Sequence, residues 1–180
     1  MVKYYFTKKV KRTFYFCLMK IVLLSDTHSY LDEAILKICR SADEIWHAGD
    51  IGREEVADQL AAVAPLKAVY GNIDDTGIRA RFPKEVHLER NGLRIWMTHI
   101  GGYPPRYSPA IVKGLQQHRP DVFICGHSHI LKVMRDKQRN VLHINPGAVG
   151  KHGFHQKRTM LRFNIKAEQL QDLELVEWER

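Results

Sequence analysis

The sequence predicts an α/β fold with two sheets, and three observations carry that expectation. Five apolar runs each end in a short segment rich in Asp, His, Asn and Gly. Strand and helix patterns alternate through the first half of the chain. After His129 the pattern becomes strands alone.

The elements follow in order. Ile21 to Leu24 reads as a buried strand leading into Asp26-Thr27-His28. Leu31 to Arg40 then sets Leu31, Ala34, Ile35 and Ile38 at helical spacing. Glu44 to His47 is a second strand, leading into Gly49-Asp50. Glu54 to Val63 is a helix with Val56, Leu60 and Val63 on one face, and Pro65 marks its end. Lys67 to Tyr70 leads into Gly71-Asn72. Glu85 to Leu88 and Leu93 to Thr98 flank Asn91-Gly92, the strongest short hairpin signal, and the second run ends at His99. Ser108-Pro109 opens a helix to about His118, since proline suits the first helical position, and Arg119-Pro120 stops it. Asp121 to Cys125 leads into Gly126-His127-Ser128-His129. Leu131 to Arg135, Val141 to Ile144, Met160 to Ile165 and Leu170 to Glu177 complete the chain as strands. Helices are expected to line one side of a first sheet, and the C-terminal strands to build a second.

The composition narrows the function classes. A chain of 180 residues with 44% hydrophobic and 27% charged residues can bury one ordinary core. The net charge of +8 does not signal nucleic acid, because Lys3, Lys8, Lys9, Lys11 and Arg12 concentrate it in residues 1–19. Without those five, 23 basic and 20 acidic residues leave +3. Residues 1–18 are therefore expected to be an N-terminal extension, and residues 19–180 the functional domain. The short run Thr13 to Met19 lacks a cleavage site and is too short to span a bilayer, so no membrane partner is expected. Cys17, Cys39 and Cys125 are odd in number and lack CxxC spacing, which reads as reduced thiols in a cytoplasmic protein.

The polar segments carry the chemistry. In open α/β sheets ligands bind at the carboxyl edge of the strands. Asp26 and His28 stand two apart, as do His127 and His129, so extended backbone would turn each pair to one face. Asp50 has two oxygens and can bridge two cations. Asn72 adds a neutral carbonyl oxygen and His99 another imidazole. Oxygen and imidazole donors without thiolate suit hard or borderline divalent metals. Seven such donors suffice for two ions sharing one bridge. Two divalent cations, two carboxylates and one hydroxide sum to roughly +1, a site open to phosphate.

The ordered set Asp26-x-His28, Gly49-Asp50, Gly71-Asn72, His99 and Gly126-His127-x-His129 resembles the calcineurin-like metallophosphoesterase superfamily. Asn145-Pro146-Gly147 and the small size resemble its compact branch of YfcE-like phosphodiesterases. The resemblance covers about residues 19–178. It implies two stacked mixed β-sheets flanked by helices, an α+β sandwich with metals at its edge. It implies that Asp26, His28, Asp50 and His129 hold a first ion and Asp50, Asn72, His99 and His127 a second. Manganese is the implied ion, while iron, nickel, cobalt or zinc would accept the same donors. A metal-bridging hydroxide would then hydrolyse a small phosphodiester, with no catalytic residue assigned beyond the ligands. The branch also implies a homo-oligomer. Many superfamily phosphatases carry His directly after the Gly-Asn pair, and this chain has Ile73 there. After His99 it has Ile100 to Arg106 in place of Gly-His, a loop expected to border the substrate.

The remaining polar residues read as structural. His47 is expected to be a hydrogen-bonded core residue, and His87, His118 and His143 to be structural or surface groups. His152 and His155 are expected on a solvated loop, and Asp74 in the turn after Asn72. The alternative function is a non-catalytic scaffold on the same fold, as in the retromer scaffold subunit. The filled ligand positions favour the enzyme.

Overall fold

A computed structural model describes residues 18–180. The chain runs β1 (Met19–Leu24), α1 (Glu33–Cys39), β2 (Glu44–His47), α2 (Glu54–Val63), β3 (Leu66–Ala68), α3 (Thr76–Arg81), β4 (Glu85–Arg90), β5 (Leu93–Thr98), β6 (Gly102–Tyr103), β7 (Arg106–Tyr107), α4 (Pro109–His118), β8 (Val122–Ile124), β9 (Leu131–Asp136), β10 (Val141–Pro146), β11 (Lys157–Lys166) and β12 (Gln169–Glu179). The strands form two five-stranded mixed sheets, ordered β12-β11-β1-β2-β3 and β4-β5-β8-β10-β9, and a small β6-β7 hairpin. Within them β1, β2 and β3 are parallel, as are β5, β8 and β10.

The sheets stack through one apolar layer. Ile21, Leu23, Trp46 and Leu161 from the first sheet meet Ile95, Met97, Ile124 and Ile144 from the second. The opposite faces are covered by helices. Val22, Leu24 and Ile45 pack with Ile35, Leu60 and Ile78 of α1, α2 and α3. Trp96 and Phe123 pack with Ile111 and Leu115 of α4. Burial on both faces explains why the parallel strands read as unbroken apolar runs.

The two-sheet expectation holds, but its assignment of strands needs correcting. The C-terminal strands do not form a sheet of their own. β11 and β12 extend the first sheet antiparallel to β1, whereas β9 and β10 join β8 in the second. Burial patterns do not encode a neighbour, so this routing was invisible in the sequence. Nor do the helices line only one sheet, because α4 covers the second. The hairpin at Asn91-Gly92 and the helices Glu54–Val63 and Pro109–His118 fall where expected. α3 was missed; its six residues bury only Ile78, too few for a periodic signal. The expected extension, but for Leu18, lies outside the described residues. No helix among them is long and apolar enough to cross a membrane.

Two buried histidines support the frame. Gly49 N–H donates to His47 Nδ1 at 3.2 Å, and His47 Nε2 lies 3.0 Å from Thr27 Oγ1, whose hydroxyl donates to Ile51 O at 2.9 Å. His143 Nδ1 lies 3.3 Å from the Tyr107 hydroxyl. Burial pushes each imidazole down to about 4. Both folded values lie below the ordinary value of about 6.5. The unfolded chain therefore takes up protons first as pH falls. Stability should be complete above about pH 6.5 and fall toward pH 4 by about 1.4 kcal/mol per pH unit for each histidine. Urea midpoints across this range should show the loss, and His143→Gln should flatten the slope by about one proton. An unchanged slope in that variant would contradict the assignment.

Candidate metal centre

The parallel strands of both sheets deliver their carboxyl ends to one edge. β1 leads to Asp26 and His28, β2 to Asp50, β3 to Asn72, β5 to His99, and β8 to His127 and His129. The backbone here differs from the extended form expected. Asp26, His28, Asp50, His127 and His129 all have positive φ, between 46° and 69°. Asp, Asn and His tolerate this left-handed region better than most residues, at about 1–3 kcal/mol each. The side chains converge because each strand ends in a sharp turn, not because they alternate along an extended strand.

Backbone hydrogen bonds tie these turns together. Asp26 N–H donates to Gly49 O at 3.0 Å, His28 N–H to Asp50 O at 3.0 Å, and Gly126 N–H to His99 O at 2.9 Å. Glycine precedes Asp50 and Asn72 for a steric reason. A Cβ at Gly71 would lie 2.0 Å from Asp50 Oδ1, and one at Gly49 would lie 2.6 Å from His99 Nδ1. Asp74 is the strut between two turns, since its carboxylate accepts from Gly52 N–H and Gly71 N–H, both at 2.7 Å. Arg79, which sequence reasoning passed over, donates to Asp74 O at 2.7 Å and Asn72 O at 3.2 Å.

All seven expected ligands are brought together. Asp26, His28 and His129 form one cluster, and Asp50, His99 and His127 a second, with ligand atoms in each within 4.8 Å. Asp50 reaches both: Oδ2 lies 3.7 Å from His28 Nε2, and Oδ1 lies 3.2 Å from His99 Nε2. His129 Nε2 lies 3.2 Å from Asp26 Oδ1 and 3.2 Å from His28 Nε2. Asn72 Oδ1 is 3.1 Å from His99 Nε2.

The donor set fits a divalent cation. Asp26 Oδ1 is buried and has no hydrogen bond despite its close imidazole neighbour. His99 Nδ1 lies 2.8 Å from Ala48 O, so it must carry the hydrogen it donates. In neutral His99 the remaining lone pair on Nε2 faces two oxygens, Asp50 Oδ1 and Asn72 Oδ1. Three acceptors converging on one point require a proton or a cation. The protonation balance agrees. Burial opposes charge on His99, but the hydrogen bond to Asp50 and the charges of Asp26 and Asp50 outweigh it, raising its pKa. Burial also disfavours the Asp50 anion, yet the His99 interaction and the Ile73 N–H hold it below the usual carboxylate range. Burial depresses His28, against the pull of Asp50 and Asp26. The Nδ1 hydrogen bond of His99 is of the kind that orients an imidazole for a metal, leaving Nε2 directed at the cluster.

The comparisons identify the family. A family model described as the calcineurin-like phosphoesterase superfamily domain matches residues 19–168. The chain belongs to this superfamily. It is 32% identical over 150 residues to a probable metallophosphoesterase of Methanocaldococcus jannaschii, covering 78% of this chain and 75% of that protein. Its fold resembles that of an archaeal phosphodiesterase, with TM-score 0.72, 21% identity, and coverage of 89% of this chain and 100% of the other. It also resembles Vps29 of Entamoeba histolytica, solved with zinc, with TM-score 0.70, 15% identity, and coverage of 89% and 99%.

A cleft opens over the two clusters. A cavity of about 710 Å³ lies over the clusters and is walled by Ile73, Ile130 and His152 to His155. The loop after His99 lines smaller recesses that adjoin it, through Ile100 beside Asn72 and through Gly102 and Tyr103 beside Ser128. His152 and His155 were expected to be merely solvated. The His152 ring centroid lies 4.8 Å from that of His28, and His155 lies 5.2 Å from His129. Their place after the Asn145-Pro146-Gly147 turn put them near the expected site, but the ring contacts arise because β10 ends beside β8.

Asp74→Asn should place an amide N–H₂ against a backbone N–H. One buried hydrogen bond is lost, at about 1–3 kcal/mol. Denaturant unfolding should show that loss, and metal affinity should weaken because both turns loosen. Unchanged stability would remove Asp74 from this role.

Proposed function

We propose that the chain hydrolyses small phosphodiesters at a centre of two divalent ions. Asp26, His28, Asp50 and His129 would hold the first ion, and Asp50, Asn72, His99 and His127 the second. The observation that supports this best is Asp50, whose two oxygens face different clusters. Bound ions of this kind supply a water-derived nucleophile at neutral pH and neutralise charge on the phosphoryl oxygens. The chain's own residues supply position. Asp50 is oriented by Ile73 N–H at 3.1 Å, Asp26 by His127 N–H at 3.1 Å, and His99 by Ala48 O. Manganese is the ion we favour. Cys39 and Cys125 are buried free thiols, and an odd cysteine count without CxxC spacing supports a reducing cytoplasm.

A scaffold would share the fold, and the likeness to Vps29 is a likeness of fold. Because that Vps29 was itself solved with zinc, metal binding alone does not separate the two readings; the complete set of seven donors, with Asp26 and Asp50 buried and few hydrogen bonds to satisfy them, supports the enzyme.

Asp50→Asn should stay folded by circular dichroism, bind fewer metal ions and lose most turnover of an aryl diester. Near-wild-type turnover with two ions retained would sink the shared-bridge assignment. Under saturating manganese, kcat/KM should favour aryl diesters over alkyl monoesters. A diester carries less negative charge, an aryloxide departs without a proton, and Ile73 has none to give. The reverse preference would show that another cleft residue protonates the leaving oxygen.

A further inference from the structure

The cleft over the metal centre has an apolar rim that the phosphate chemistry does not use. Among the described residues, the two most exposed large hydrophobic side chains are Phe154, at 104% of its reference area, and Ile130, at 59%; Ile73 is 47% exposed. All three line this one cleft. Scattered apolar side chains need no explanation, but a concentration of this kind beside a polar floor marks a binding surface. The cavity of about 710 Å³ also lies within the usual range for small organic ligands. A phosphate seated on the ligand floor would therefore leave room for its organic group.

The loop carrying Phe154 is built in place. Val149 N–H donates to Ser25 O at 3.0 Å and Gly150 N–H to Asp26 O at 3.1 Å, so its base is bonded to the ligand-bearing turn. A Cβ at Gly150 would lie 2.3 Å from Thr27 O, which fixes how closely the loop approaches. Beyond that point Arg180 donates to Lys151 O at 2.9 Å and to Gly153 O at 2.7 Å, bracketing His152. His155 Nε2 lies 2.9 Å from Gly150 O and closes the loop on itself. The backbone on either side of Phe154 is anchored, and its fully exposed ring lines the cleft.

We propose that this rim is a specificity-determining subsite for a flat ring on the organic group of the phosphate ester, with Phe154 as its stacking platform and Ile130 and Ile73 as apolar walls. This rests on the phosphoesterase reading. A planar ring is favoured over an alkyl chain because a ring face gains stacking beyond simple burial, and single base–aromatic stacks contribute about 1–3 kcal/mol. An aryl group and a nucleobase share that chemistry.

The test measures binding by calorimetry to the manganese-loaded full chain, using methylphosphonate, phenylphosphonate and adenosine monophosphate. At least one ring-bearing ligand should bind about tenfold more tightly than methylphosphonate, and which one does so identifies the ring. Phe154→Ala should abolish that advantage while leaving methylphosphonate affinity and bound manganese unchanged, and Phe154→Trp should keep it. Equal affinity for all three ligands in the wild type would overturn the subsite and leave the phosphoesterase reading intact. An advantage that survives in Phe154→Ala would overturn the role of Phe154. If none of the three binds to fully loaded protein, the phosphoesterase reading itself fails and the subsite falls with it.

Discussion

Asp50 stands between two clusters, one carboxylate oxygen toward His28 and the other toward His99, with almost no access to water. A buried carboxylate is tolerable only when positive charge or donated hydrogens surround it. Here Ile73 supplies one backbone N–H, and the nearest imidazole, His99, has its Nδ1 hydrogen directed at Ala48 O instead. Asp26 is in the same position, with one buried oxygen lacking any hydrogen bond. The need of these two carboxylates for cations sets the geometry of the edge around them.

Several otherwise separate features follow from that need. The ligand turns must bring side chains from both sheets to one place, which left-handed backbone and tightly packed glycines achieve. The local strain persists because the surrounding layers over-determine it. Strands buried on both faces cannot shift without opening the core shared by Trp46, Met97 and Ile124. Asp74 and Arg79 then lock the turns after Asp50 and around Asn72 to each other. A scaffold of low local energy thus carries the strain at its edge.

Much of this was legible in the sequence. Each of the seven proposed ligands follows an apolar run, and glycine, asparagine and aspartate punctuate the strand ends, so the convergence of Asp26 to His129 on one edge could be read directly. The backbone at those positions could not. A two-residue spacing suggests alternation along a strand; the family resemblance already divided His127 and His129 between two sites, and the turn geometry shows how neighbours so close in sequence reach different clusters. Routing was equally hidden. β11 and β12 could pair with either sheet on their apolar pattern, and their place beside β1 follows from packing over long sequence separation. The loop at His152 to His155 carries no signal beyond its place after Asn145-Pro146-Gly147, which suggested a solvated loop near the site. Its proximity to His28 and His129 exists only once β10 is set beside β8.

The most direct measurement is a crystal structure of the protein soaked with manganese, with anomalous differences recorded. The account predicts two peaks about 3.5–4 Å apart, one on each side of Asp50, the separation expected of paired catalytic ions. Asp26, His28 and His129 should surround one peak, and Asn72, His99 and His127 the other. A single peak, or two peaks that do not share Asp50, would contradict it.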